Sequence, residues 1–218
     1  PFGKQKLLYA DWIASGRLYK PIEDKMQNVF GLMIGNTHSE ASQTGVAMTK
    51  SYEFARQIIK KHVNANDDDI LITASAGMTR LVCKFQRILG LRLPDKNSYY
   101  KRVTGVDFSN CKDLGEDRPV VFVTHVEHHS NHFSWVETIA EVVIVEPSDD
   151  LIVCADNLRK AVKNYANRKL KIGAFSGGSN VTGYIPPVHE YAKIMHENGG
   201  LCFIDFAASA PYIDIDMH

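Results

Sequence analysis

The sequence has no surplus of charge of either sign and no long apolar run. Its 25 Lys and Arg residues equal its 25 Asp and Glu residues, so we expect no overall attraction to nucleic acid or to an anionic membrane. No stretch of about 18 apolar residues occurs, and no charged and apolar leader opens the chain. These absences predict neither a membrane span nor a secretory signal, and we expect a cytoplasmic protein.

Paired cysteines and an initiator methionine are also missing. The four widely spaced cysteines, none in a C-x-x-C pair, are Cys83, Cys111, Cys154 and Cys202. This spacing favours reduced thiols over a disulfide framework. Because the chain opens with Pro1 and closes at His218, we expect that a leading segment and a following segment are absent from it.

Apolar periodicity alternates between about 3.6 residues and two residues along the chain. With 218 residues, 44% of them apolar, the chain is long enough for a sizeable core. The patterns predict helices at residues 48–63, 76–89, 156–166 and 187–198, and strands at residues 70–73, 120–124, 142–145, 172–175 and 201–204. Such alternation predicts an α/β fold with a mostly parallel sheet and helices on both faces. Residues 94–117 are polar and indicate an insertion or a meander.

Four of the nine histidines follow the predicted buried strand at residues 120–124. They are His125, His128, His129 and His132. If a helix begins near Glu127, His128 and His132 share one face and could hold a metal, with Glu127 or His125 completing the ligand shell. Alternatively, one imidazole lies flat against a planar cofactor, or the segment is a polar loop without a ligand. These residues alone leave the three interpretations open.

Small and polar residues follow the other predicted strands, where α/β sheets place their ligands. After residues 70–73, the turn that contains Gly77, Met78 and Thr79 opens a helix whose free N–H groups could hold a phosphate. An ordinary helix N-terminus is the alternative, since no Gly-Lys-Ser/Thr of a P-loop follows. After residues 172–175, two glycines allow close backbone approach, and Asn180 offers both a donor and an acceptor.

Asp205 ends the last predicted strand, after four apolar residues. A carboxylate at the mouth of a buried strand requires a cation or several donors. Pyridoxal 5'-phosphate (PLP) accounts for these features together: residues 77–79 would take the phosphate, His128 would lie over the ring, and Asp205 would face the protonated ring nitrogen. Ala207 would contact the opposite face of the ring, and Asn180 would bind the ring hydroxyl or a substrate carboxylate.

In these motifs the sequence resembles the class V aminotransferases of PLP fold type I, especially the cysteine desulfurases and selenocysteine lyases. The motifs lie at residues 9–15, 35–38, 52–56, 76–79, 127–131, 179–183 and 205–208. The resemblance implies that His128 stacks on the cofactor and assists proton transfer, which weakens the metal interpretation. It also implies an arm at residues 1–29 that joins the small domain, and the N-terminal part of the PLP-binding large domain at residues 30–218.

The implied activity is chemistry on an amino acid through an external aldimine: sulfur removal from L-cysteine, or transamination. The resemblance further implies a homodimer and a sulfur-acceptor protein as a partner. Two departures limit it: Ala208 replaces a glutamine that usually bonds the ring hydroxyl, and the chain stops at His218, before the family's Schiff-base lysine, which follows the aspartate by some two dozen residues. We therefore expect residues 1–218 to be inactive alone, and a non-catalytic relative or a binding fragment is the alternative.

Overall fold

The computed structural model describes residues 2–74, 76–92, 97–105, 107 and 111–218. The chain divides into two compact units, one formed by residues 1–72 and 212–218 and the other by residues 73–211. The predicted boundary after residue 29 stays a prediction. No helix in the described part of the chain is both long enough and apolar enough to span a membrane.

The first unit is helical. A short helix, α1 (Lys20–Lys25), runs into a π-helical turn (Met26–Phe30) and a 3-10 turn (Gly31–Met33). The long helix α2 (Gln43–His62) begins after Ser42, whose hydroxyl accepts a hydrogen bond from Gly45 N at 3.1 Å and so caps it.

The closing segment of this unit, residues 212–218, is held at the end of α2. Met217 N donates to Val63 O at 3.1 Å, and Asn64 Nδ2 donates to Asp216 Oδ1 at 2.7 Å. His218 Nε2 lies 3.1 Å from Asp69 Oδ2. These contacts explain why a segment distant in the sequence joins this unit.

The second unit is an α/β sheet. Its helices in chain order are α3 (Gly77–Ile88), α4 (Asn97–Thr104), α5 (His129–Val136), α6 (Ala155–Asn164) and α7 (Val188–Glu197). Its strands are β1 (Val120–Val123), β2 (Glu141–Ile144), β3 (Lys171–Ser176) and β4 (Leu201–Asp205), all parallel in the order β2-β1-β3-β4. The predicted fold class is confirmed, and four of the five predicted strands and the four predicted helices are observed within a few residues of the predicted bounds.

Helices cover both faces of the sheet. Successive strand residues point to opposite sides, so a strand that is apolar throughout needs a packing partner on each face. Val120 and Phe122 of β1 belong to one apolar cluster with buried residues of α6 and α7, namely Leu158, Val162, Tyr191, Ile194 and Met195. Val121 and Val123 belong to a second cluster with Val82 of α3 and Trp135 of α5. Every residue of β1 is fully buried, as expected of a central parallel strand.

The predicted strand at residues 70–73 is wrong. This segment has no regular structure and pairs with none of the described strands. Ile70 is 85% exposed and Ile72 is 42% exposed. Apolar β-branched residues make a strand only where a neighbouring strand accepts their backbone hydrogen bonds.

The polar segment at residues 94–117 is in part helical. Its described portion contains α4 and the 3-10 turns of Cys111–Asp117. Residues 94–96, 106 and 108–110 lie outside the described residues, so the predicted insertion or meander is not tested there.

Candidate functional site

The candidate site lies between two neighbouring strands, β1 and β3, whose connections to the next strand run in opposite directions along the sheet. The chain passes from β1 to β2 on one side of β1, and from β3 to β4 on the other side of β3. The carboxyl ends of β1 and β3 therefore flank a topological switch point, which is where open α/β sheets bind ligands. Glu127 and His128 follow β1, Ser176 ends β3, and Asp205 ends β4.

Asp205 is a buried carboxylate that forms no salt bridge with any of the described residues. It is 4% exposed, and its Oδ1 accepts a hydrogen bond from Ala207 N at 2.9 Å. Burial raises the pKa of Asp205, while the hydrogen bond from Ala207 N and the electrostatic interaction with His128 lower it. A cationic nitrogen would compensate this buried charge.

His128 is the N-cap residue of α5 and interacts electrostatically with Asp205. Its Nδ1 accepts a hydrogen bond from Ser130 N at 3.1 Å and lies 2.8 Å from Ser130 Oγ, so the imidazole caps the helix. Because a ring nitrogen that accepts carries no proton, this contact favours the tautomer with hydrogen on Nε2. The exposed ring leaves Nε2 without a hydrogen bond in the described part of the chain.

Glu127 joins three elements at the switch point. Its Oε1 accepts from Thr124 Oγ1 at 2.7 Å, after β1, and its Oε2 accepts from Asn131 Nδ2 of α5 and from Ser176 Oγ of β3, both at 2.8 Å. Burial raises the pKa of Glu127, and these donors lower it. The sequence patterns indicate Glu127 only as a candidate metal ligand and as part of the motif at residues 127–131. The sequence feature that indicates Glu127 as a functional residue is its position after a fully apolar strand, which it shares with Asp205.

The glycines after β3 serve the packing between two loops. A Cβ on Gly177 would lie 2.3 Å from Phe206 Cδ1, and one on Gly178 would lie 2.8 Å from Ser209 Cβ. Gly177 N donates to Asp205 O at 2.8 Å, and Ser209 Oγ donates to Gly177 O at 3.0 Å. The close approach that these glycines predicted is thus made by the loop after β4, which fixes the backbone around Asp205.

Asn180 lies exposed in the next turn. Ser179, rather than Asn180, organises that turn, since its Oγ accepts from Val181 N at 3.3 Å and from Thr182 N at 3.2 Å. The Asn180 amide makes no hydrogen bond within the described residues, and it therefore stays available to a ligand.

The phosphate site predicted at the amino end of α3 stays a prediction. No side chain caps it at Ala76, and Gly77 adopts a φ of 57° with open space around its Cβ position. Gly77 and Thr79 are exposed, while Met78 packs against the apolar cluster of α3 and α5. Uncapped N–H groups at a helix start attract anions.

The structure brings some of the predicted site residues together and leaves others apart. His128, Asp205 and Ala207 interact directly or electrostatically. The α3 helix lies beside β4, because Phe85 stacks on Phe203 with centroids 5.1 Å apart. No hydrogen bond among the described residues joins residues 77–79 or Asn180 to Asp205.

The remaining histidines of the cluster have separate contacts. His125 Nε2 lies 2.9 Å from Leu151 O, and the rings of His129 and His132 lie 5.1 and 5.2 Å from that of Phe133. The residues that the structure describes contain no group of three or more His, Cys, Asp and Glu side chains arranged to hold a metal.

Comparison with known proteins identifies the family. The family described as "Aminotransferase class-V" matches residues 8–84 and 109–218, which is most of the chain. The chain belongs to the class V aminotransferases. It is 25% identical over 215 residues to a "Probable cysteine desulfurase" of Halalkalibacterium halodurans, a match that covers 97% of this chain and 47% of that protein.

Solved structures agree on the fold of this class V aminotransferase chain. The apo cysteine desulfurase of Thermococcus onnurineus superposes with a TM-score of 0.63 at 22% identity, over 94% of this chain and 45% of that one. A protein named SspA, in complex with cysteine, superposes with a TM-score of 0.66 at 20% identity, over 95% of this chain and 53% of that one. The fold is therefore that of the fold type I PLP enzymes. The chain spans about half the length of the relatives it matches.

Proposed function

We propose that residues 1–218 carry most of the cofactor-binding part of a PLP-dependent enzyme that acts on an amino acid. The observation that carries this proposal is Asp205, a buried carboxylate that interacts electrostatically with His128 and accepts a backbone hydrogen bond, but forms no salt bridge within the described residues. The class V aminotransferases and cysteine desulfurases are generally PLP-dependent, and the protonated ring nitrogen of PLP is a cation of the required kind.

The other residues fit the same group. Asp205 would hold the ring nitrogen, His128 would cover one face of the ring, and Ala207 would contact the other. The amino end of α3, with Gly77, Met78 and Thr79, would receive the phosphate through backbone N–H groups and the Thr79 hydroxyl. Asn180 would bind the ring hydroxyl or the substrate carboxylate. In the first case it would make the hydrogen bond that the methyl group of Ala208 cannot make.

We further propose sulfur removal from L-cysteine as the reaction, with class V transamination as the second candidate. When bound, PLP supplies an electron sink for electrons released at the substrate α-carbon. His128, whose Nε2 hydrogen makes no hydrogen bond within the described residues, would hold or move a proton at the substrate α-carbon. The names of the curated relatives and the cysteine bound to SspA support cysteine as the substrate. A homodimer, a sulfur-acceptor protein and a cytoplasmic location complete the proposal.

Cofactor binding by the chain itself tests the proposal. We expect PLP to bind noncovalently and to acquire an induced circular dichroism band, measured together with equilibrium dialysis. Asp205→Asn should weaken binding about tenfold to 100-fold, because a charge-assisted hydrogen bond contributes about 1.5–3 kcal/mol. The matched control is Asp156→Asn, whose carboxylate in the same unit is 74% exposed. Equal affinity for PLP in the wild-type chain and Asp205→Asn would contradict the proposal.

Turnover assays test the role of the lysine. We expect residues 1–218 alone to release no sulfide from L-cysteine and to transfer no amino group to a 2-oxo acid, because the family's Schiff-base position, some two dozen residues after Asp205, lies beyond residue 218. Turnover by this chain, abolished by Asp205→Asn, would show that another lysine fills that role. The same two assays on a longer chain that includes the Schiff-base lysine would distinguish desulfuration from transamination.

A further inference from the structure

We propose that Glu127 is a positioning residue: as an ionised carboxylate, it fixes His128 relative to Asp205. This inference rests on the proposed PLP site but does not need the cofactor to be tested. Glu127 lies one residue before His128, and its hydrogen bonds span the end of β1, the first turn of α5 and the end of β3. No step of the proposed chemistry uses it directly.

The orientation of the Asn131 amide shows that Glu127 must accept a hydrogen bond from it. Trp135 Nε1 can only donate, and it donates to Asn131 Oδ1 at 3.2 Å. The other end of that amide, Nδ2, therefore faces Glu127 Oε2 at 2.8 Å and donates to it. Likewise Thr124 N, which can only donate, lies 3.3 Å from Glu127 Oε1. Each carboxylate oxygen thus meets a group that is unable to accept a hydrogen bond.

This donor set selects the carboxylate over a neutral amide of the same shape. The hydroxyls of Thr124 and Ser176 can rotate to donate as well, so the ionised group satisfies every neighbour. An amide NH₂ placed at either oxygen position would point its hydrogens at Thr124 N or at Asn131 Nδ2. Burial raises the pKa of Glu127, and these donors oppose that effect.

The hydrogen bonds of Glu127 reach both functional residues through the backbone. His128 is the N-cap of α5, and its O accepts from Asn131 N at 2.8 Å. Ser176 pairs with Asp205 across β3 and β4, and the next residue, Gly177, donates to Asp205 O at 2.8 Å. Glu127 therefore connects the start of the His128 helix to the strand pair that holds Asp205.

The first test is Glu127→Gln, with hydrogen exchange as a readout that needs no ligand. We expect the Ser130 amide, which donates to His128 Nδ1, to exchange about tenfold faster, since a loss of about 1.4 kcal/mol in local stability has that effect. Amides within β1 should keep their protection. The matched control is Glu137→Gln at the other end of α5, where the side chain is 65% exposed.

Rescue distinguishes positioning from a general structural role. In Glu127→Gln/Trp135→Phe, the Asn131 amide is released from the indole and can turn its Oδ1 toward the new NH₂. We expect Ser130 in this double variant to exchange more slowly than in Glu127→Gln, although Trp135→Phe alone lowers stability. Simple addition of the two effects would contradict the proposed donor arrangement.

Cofactor spectroscopy links Glu127 to the proposed function. In a folded Glu127→Gln variant, we expect PLP affinity to fall about tenfold and the induced circular dichroism band to weaken, with no such change in Glu137→Gln. If the wild-type chain fails to bind PLP, the proposed function is wrong, while the Ser130 exchange still decides the role of Glu127. Unchanged Ser130 exchange in folded Glu127→Gln overturns the inference. If that variant does not fold, Ser176→Ala takes its place, and unchanged exchange there overturns it equally.

Discussion

Three acidic side chains show how local surroundings set the ionisation of single residues. Glu127 and Asp205 lie at the carboxyl ends of strands, where burial raises the pKa of each. Asp69 lies in the helical unit, where a backbone hydrogen bond from Asn66 and the neighbouring His218 lower its pKa. Of these three carboxyl groups, the two with a raised pKa lie at the proposed site, where groups with a perturbed pKa are expected.

Asp205 should therefore reduce the stability of the cofactor-free chain. We expect Asp205→Asn to raise the unfolding free energy at pH 7 by about 1 kcal/mol, because the amide keeps the acceptor for Ala207 N and removes a buried charge. The same substitution weakens PLP binding in our proposal. Thermal denaturation without cofactor should show an increase in melting temperature of about 2–4 °C.

The pH dependence of this difference has a definite sign. The pKa of Asp205 is raised in the folded state, so the folded chain holds this proton more tightly than the unfolded chain does. The destabilisation by Asp205 is greatest above the folded pKa and is relieved as pH falls through it toward about 3.9, the unfolded value. The advantage of Asp205→Asn should shrink over that window. Asp156→Asn is the control, and a difference independent of pH would contradict this account.

At the scale of elements, sequence patterns predicted the helices and strands that depend on local periodicity and burial. The apolar runs of β1 and β3 gave strands, since these segments are buried on both faces of the sheet. The run at residues 70–73 has similar composition but no paired neighbour, and composition does not reveal pairing. His128 and Asp205 were predicted from their place after strands. The roles of Glu127 and Gly177 depend on contacts with Ser176 and Phe206, which are distant in sequence.

The junction between β3 and the loop after β4 allows a direct test of packing. Gly177→Ala would place its Cβ 2.3 Å from Phe206 Cδ1, so the ring must move and disturb the loop that carries Asp205. We expect a loss of about 1–3 kcal/mol in unfolding free energy, measured by urea denaturation. Gly16→Ala is the control, because nothing lies within 4 Å of its Cβ position. Equal midpoints for the two variants would show that Phe206 adapts without cost.

At the scale of the whole molecule, balanced charge combines with exposed apolar side chains. The chain has a formal net charge of zero and a sequence pI of about 7.5. Several large apolar residues of the first unit are well exposed, including Leu8 at 88%, Leu18 at 84% and Leu32 at 77%. A protein with little net charge and exposed apolar surface tends to associate.

Solubility should accordingly be lowest near pH 7.5 and should rise on either side, as light scattering across pH 6 to 9 would show. Because the sequence pI is about 7.5, the net charge is positive at pH 6 and negative at pH 9. Lys4→Glu/Lys6→Glu, at two exposed positions, shifts the net charge by four negative units and should move the minimum to lower pH. Lys4→Arg/Lys6→Arg keeps the charge and should leave the minimum in place. A minimum that stays fixed in the glutamate variant would assign association to apolar contacts alone.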